Sequence, residues 1–193
     1  MNHFMTNLGR TTLAVAGATA LAGVGLAVAE SQHPAVEKLI ELGYPAPQEG
    51  ELVHIPPTMA DLEASDLHPE TKKVIRRGYD LFTNTQQLRG ENVYNDMNCS
   101  SCHLGEGRQP FSAPVWAAAV TLPNYRGKND HVNNLEERIA GCFAYSMNGN
   151  PPEYGSDDML ALTAYHQWLA KGGRVAIVDD SRTDAGFVEE LLV

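Results

Sequence analysis

Cys99, Ser100, Ser101, Cys102 and His103 form a Cys-x-x-Cys-His run. Two thiols at this spacing can add across the two vinyl groups of a haem. The residue after the second thiol then carries an imidazole to the iron, so the run is the attachment signature of haem c. Two other chemistries use paired cysteines. A thioredoxin-like redox pair would sit near a βαβ pattern, and none is present. A Cys2His2 zinc site would need a second ligand pair of its own. The motif therefore predicts one covalently attached haem c, held by Cys99 and Cys102, with His103 as an iron ligand.

The ligand on the other face of the iron sets potential and reactivity. Cys142, Met147, Met159, His131 and His166 qualify by position, whereas Met97 lies two residues before Cys99 and too near the proximal side. Met147, in a Ser-Met-Asn-Gly segment, fits the common use of methionine in small cytochromes c. Cys142 is the third of three cysteines and has no mate once Cys99 and Cys102 carry haem. Such a residue can equally be a buried, inert thiol. Arg138 stands four residues before it on the same predicted helix face, where a guanidinium favours the thiolate, the ligand form. Arg126, in Pro-Asn-Tyr-Arg, can join from the preceding loop. Two arginines beside a haem make a site for a small anion, although each could instead form a surface ion pair or meet a haem propionate. From the residues alone, Cys142 and Met147 stand level.

These residues need helices to position them. Pro69 and Glu70 start a helix in which Val74, Ile75, Gly78, Tyr79, Leu81 and Phe82 recur at helical spacing through Thr83. A second helix is predicted from Leu135, after Asn134, to about Ser146, where Asn148-Gly149 stops the chain. A third follows the N-cap Ser156 and ends before Gly172, with Leu160, Ala164, Tyr165, Trp168 and Leu169 as its apolar face. No segment alternates for long enough to make a sheet. The expected fold is all-α and class I cytochrome c-like, over residues 69–172. In that fold the first and last helices cross closely, and Gly78 with Tyr79, and Tyr165 with Trp168, are the expected contact.

The flanks read differently. Residues 1–29 hold Arg10 and no acidic residue, then an apolar run ending Ala27-Val28-Ala29. This is the pattern of a cleaved secretory signal peptide, and it predicts export, to the periplasm in a Gram-negative host. An uncleaved anchor is the competing reading. Residues 30–68 are proline-rich and predict an irregular arm with one short helix over 36–42. Residues 173–193 form a short tail whose end, 187–193, has helical character. Nothing after residue 29 is apolar enough to span a membrane. The 193 residues carry a net charge of −10, which argues against nucleic acid as a partner. An acidic electron carrier instead suits a basic redox partner protein.

The order CSSCHLGEG, LPNYR, LEERIAGCFAYSMNG and DDMLALTAYHQWLAKG resembles the amino-terminal haem domain of thiosulfate dehydrogenases, and more distantly the SoxA-type sulfur-oxidising cytochromes. The resemblance covers residues 56–172. It implies a haem iron held by His103 and Cys142, active-site arginines at Arg126 and Arg138, and interconversion of thiosulfate and tetrathionate. The family's enzymes carry a second cytochrome domain with its own attachment motif, and this sequence has one such motif. The resemblance thus leaves two expectations. One is an exported single-haem electron carrier with a family-type haem site. The other is an oxidoreductase acting on a sulfur anion together with a partner cytochrome. A haem sensor whose cysteine ligand yields to a gas is a third and weaker reading.

Overall fold

A computed structural model describes residues 52–173, the strand over 25–28, and Glu37 and Ile40, which are helical. Most of the predicted leader, the arm before Leu52, the other residues of the short helix predicted over 36–42 and the tail beyond Gly173 lie outside the described residues.

β1 (Gly25–Val28) lies within the predicted leader and pairs antiparallel with β2 (Leu52–Ile55), with Gly25 opposite Ile55. The arm is more regular than its prolines suggest. After β2 comes α1 (Met59–Ala64), started by a reciprocal cap. The Thr58 side chain accepts from the Asp61 N–H, and the Asp61 carboxylate accepts from the Thr58 N–H at 2.7 Å. α2 (Pro69–Thr83) spans the predicted residues, with proline in its first turn. The sequence reading missed the short α3 (Trp116–Thr121), which follows the attachment motif and its loop. β3 (Asn124–Arg126) and β4 (His131–Asn133) then make a hairpin with Arg126 opposite His131. α4 (Leu135–Gly141) starts on Asn134, whose side chain accepts from Glu137 N–H. It runs into a π-helical turn, Cys142–Ser146. α5 (Asp157–Leu169) starts on the Ser156 cap, and Gly172 takes a positive φ of 84° beyond its end. The fold is mostly helical, as expected. Among the described residues the strands form only two-stranded ladders and build no sheet across the core.

α2 crosses α5 at Gly78. A Cβ there would overlap the Ala161 carbonyl and press on Tyr165, so only glycine lets the two backbones approach this closely. Tyr165 fills the crossing, edge-on to Tyr79 at 5.7 Å and tilted against Phe82 at 5.3 Å. Trp168 is not part of this contact: it is buried one turn further on and donates its Nε1–H to Thr58 O, holding α1. The predicted apolar face of α5 needs the same kind of correction. Leu160 is half exposed, while Met159, Ala161, Leu162 and His166 join Tyr165, Trp168 and Leu169 in the core. The buried residues form one broad face, turned away from Leu160 toward Met159, Leu162 and His166.

His54 fastens β2 to the end of α5. Its Nε2–H donates to Leu169 O at 2.8 Å and its ring packs on Trp116. Its Nδ1 is buried without a hydrogen-bond partner. Burial holds the pKa of this imidazole below its ordinary 6.5.

Two outcomes follow for stability. Gly78→Ala must push α2 off α5, and is expected to cost about 1–3 kcal/mol, read from the urea midpoint of the haem-loaded protein. His54 is neutral in the folded chain. Its contribution is complete above pH 6.5, the unfolded value, and is lost as pH falls below it. The midpoint should therefore drop on acidification through this range. His54→Phe should flatten the drop, and an unaltered slope refutes the assignment.

Candidate haem site and its anion cleft

The loop after the attachment motif is fixed before the site is built. Tyr165 donates its hydroxyl to Glu106 O at 2.8 Å, and the Tyr79 hydroxyl donates to the Glu106 carboxylate at 2.9 Å. Val115 N–H donates to Gly107 O, closing the loop on itself. Ala113 is thereby set against His103, whose Nδ1–H donates to its carbonyl at 2.5 Å. That bond fixes the tautomer and leaves Nε2 as the nitrogen with a free lone pair, the arrangement of a metal-ligating histidine. Phe82 packs beside the same ring, 6.1 Å between centroids.

His103 lines a cleft of about 490 Å³ together with Cys99, Cys102 and Cys142. Phe82, Met97, Ile139, Phe143, Met147 and Leu162 supply apolar walls. An apolar slot with two thiols of the attachment motif and a bare imidazole nitrogen at its edge fits a haem c. Burial pushes the Cys99 thiol up to about 11, and the Thr85 hydroxyl lies 3.4 Å from its sulfur.

The distal candidates separate by position. Cys142, Met147 and His166 all line the cleft, whereas Met159 lies in the core and His131 on the hairpin. The π turn explains how Cys142 and Met147 reach one cleft. In an α-helix, residues five apart point about 140° away from each other. Here the turn widens so that Met147 N–H closes on Cys142 O at 3.1 Å. Met147 is then pinned from outside, where Tyr94 N–H donates to its carbonyl. His166 is fully buried, its Nδ1–H donates to Leu162 O at 2.8 Å, and burial pushes its pKa down to about 4.

Cys142 differs from Met147 in what lies on its other side. An open cleft of about 900 Å³ adjoins the apolar one, lined by Cys102, His103, Cys142, Arg126 and Arg138. Arg138 donates from Nη1 to the Cys142 sulfur at 3.3 Å. The two predicted arginines are thus brought together with the predicted cysteine, at the border between the apolar slot and this opening. Among the lining residues not singled out from the sequence are Lys128, Glu137 and Tyr145. Lys128 lies two residues after Arg126 in the hairpin turn, a spacing that could have flagged it. The Glu137 carboxylate caps α4 through Asn134 N–H at 2.8 Å and faces His131 at 3.2 Å. Asn134 and His131 hold this carboxyl below its ordinary value.

The SoxA/TsdA cytochrome c domain profile matches residues 79–175, which spans half of the chain and includes the attachment motif, the hairpin and the Cys142 turn. The chain belongs to the SoxA/TsdA cytochrome c domain family. Covalently bound haem c is what this domain carries. Thiosulfate dehydrogenases of Stutzerimonas stutzeri and Thiomonas intermedia are each 45% identical to it, over 64% and 52% of this chain and 39% and 32% of theirs. The L-cysteine S-thiosulfotransferase subunit SoxA of Hydrogenobacter thermophilus is 32% identical over 57% of this chain and 43% of its own. Among solved structures, the thiosulfate dehydrogenase TsdBA of Marichromatium purpuratum is similar with a TM-score of 0.58 and 39% identity. That likeness covers 64% of this chain and 27% of that one. The chain thus spans less than half the length of these relatives. Among the described residues, no helix is long and apolar enough to cross a membrane.

Proposed function

We propose that this chain is an exported single-haem cytochrome c that transfers electrons in sulfur oxidation. In this reading its open cleft takes thiosulfate or a similar sulfur anion, and a partner cytochrome receives the electrons. One observation supports the anion reading over a plain carrier: Arg126, Arg138 and Cys142 line one opening. A carrier needs only an exposed haem edge, with no paired guanidinium groups at the distal sulfur.

Cys99 and Cys102 would hold the haem, with His103 and Cys142 on the iron. Met147 is the alternative distal ligand. Joining two thiosulfates forms one S–S bond and releases two electrons, and a single haem c supplies a one-electron acceptor, so the partner must take them in turn. The residues of the chain do the rest. Arg126 and Arg138 neutralise and orient the anion. Arg138 also sets a charged N–H donor against the Cys142 sulfur, at the edge of the opening. The apolar walls keep water from the haem slot. The single attachment motif supports the partner requirement. The apolar run ending at Ala29 supports export by a cleaved leader and a periplasmic location.

The oxidised holoprotein is expected to give a low-spin thiolate–imidazole spectrum. Cys142→Gly should abolish that signature, and an unchanged spectrum moves the ligand to Met147. Thiosulfate oxidation with an artificial one-electron acceptor, with and without a dihaem partner, tests the activity. Arg138→Gln should lower kcat/KM roughly 10- to 100-fold, the worth of a hydrogen bond to a charged group. Absence of turnover under both conditions leaves electron transfer alone.

A further inference from the structure

The open cleft carries three cations along its lining, Arg126, Lys128 and Arg138. Its lining is also graded. Cys142 lines the apolar slot as well as the open cleft, so its sulfur stands at the inner end, and the Arg138 guanidinium donates to that sulfur. Lys128 and Tyr145 border the open cleft alone. Both are exposed, Tyr145 by 82%. Lys128 Nζ lies 5.9 Å from the Tyr145 ring centroid, a cation–π contact that gives a long side chain a preferred place at the rim. The backbone supports that place from both sides. Asn129 and Asp130 N–H groups both donate to Arg126 O at 2.9 Å, closing the turn that carries Lys128. Tyr145 belongs to the same π turn as Cys142.

We propose that Lys128, seated on Tyr145, is an outer anion subsite that reads the far sulfonate of an elongated disulfonate such as tetrathionate, while Arg138 holds the near end beside Cys142. The inference rests on the reading that this cleft takes sulfur anions. It adds which residue distinguishes the long dianion from the short one. Thiosulfate at the inner end does not reach Lys128. Tetrathionate, with charge at both ends, meets a cation at each. Glu137 is the acidic residue in the lining, and its carboxylate is occupied by the Asn134 N–H and His131. The three cations therefore outnumber the free negative charge of the lining.

The test is equilibrium binding of tetrathionate and of thiosulfate to the oxidised full-length holoprotein, for wild type, Lys128→Gln and Lys128→Arg. Lys128→Gln should weaken tetrathionate about fivefold, the size of an exposed ion pair, and leave thiosulfate within about twofold. Lys128→Arg should restore most of the loss, and the thermal midpoints of all three should agree. Equal weakening of both anions, or no weakening of tetrathionate, overturns the subsite and leaves the cleft reading standing. Wild type that binds neither anion overturns the cleft reading, and the subsite with it.

Discussion

The close approach of α2 to α5 at Gly78 is the constraint on which the haem slot depends. The contact is steric: backbone meets backbone because one Cβ is missing. Its consequences run outward from there. With the helices this close, Tyr165 has no room except against Tyr79 and Phe82, and its hydroxyl then falls on the Glu106 carbonyl. That bond, with the one from Tyr79 to the Glu106 side chain, pins the loop carrying Ala113. Ala113 orients His103. The His103 imidazole is therefore positioned from the helix crossing, by Phe82 beside its ring and through one carbonyl and two phenols. Phe82 and His166, from the two crossing helices, pack 5.9 Å apart and make part of the slot's wall.

The distal side rests on a different device. A regular helix would keep the α4 ladder intact but would turn Met147 away from Cys142. The π turn gives up that regularity over five residues and aims both at the slot. It also carries Tyr145 to the opposite, solvent side. One local change in helix pitch thus supplies an iron ligand candidate, a wall of the slot and the rim of the anion cleft.

How much of this was legible in the sequence depends on how local its cause is. Helix starts were legible because caps are local: Pro69, Asn134 and Ser156 each sit where the reading put them. The attachment motif was legible because its chemistry fixes its spacing. The pairing of Arg138 with Cys142 followed from a four-residue step. What was missed has longer-range causes. Leu160 was assigned to the core because it fits an apolar stripe, but the buried face of α5 is turned from it toward Met159, Leu162 and His166, and only the packing neighbours decide which face is covered. Trp168 was assigned to the Gly78 contact, one turn from where it sits, because sequence spacing cannot say where along a helix a crossing falls. The three-residue strands β3 and β4 are too short to show alternation. The π turn has no sequence signature, since its cause is the pull of Met147 and Gly149 against the segment at Asn92–Tyr94.

A net charge of −10 stands against the proposed anion site, and the scale of screening resolves the conflict. At physiological salt the Debye length is about 8 Å, so charges spread over the surface act weakly at the cleft. The groups that matter are those lining it. Two of the three cations come from the β3–β4 hairpin, and the third from the last turn of α4, where a positive side chain also meets the negative end of the helix dipole. The single lining carboxylate is engaged as a helix cap. The same short stretch, residues 126–146, therefore holds the cations together and keeps the acid occupied. An acidic exterior with a basic cleft suits the two ligands proposed for it, a basic electron-transfer partner on the outside and a small dianion within.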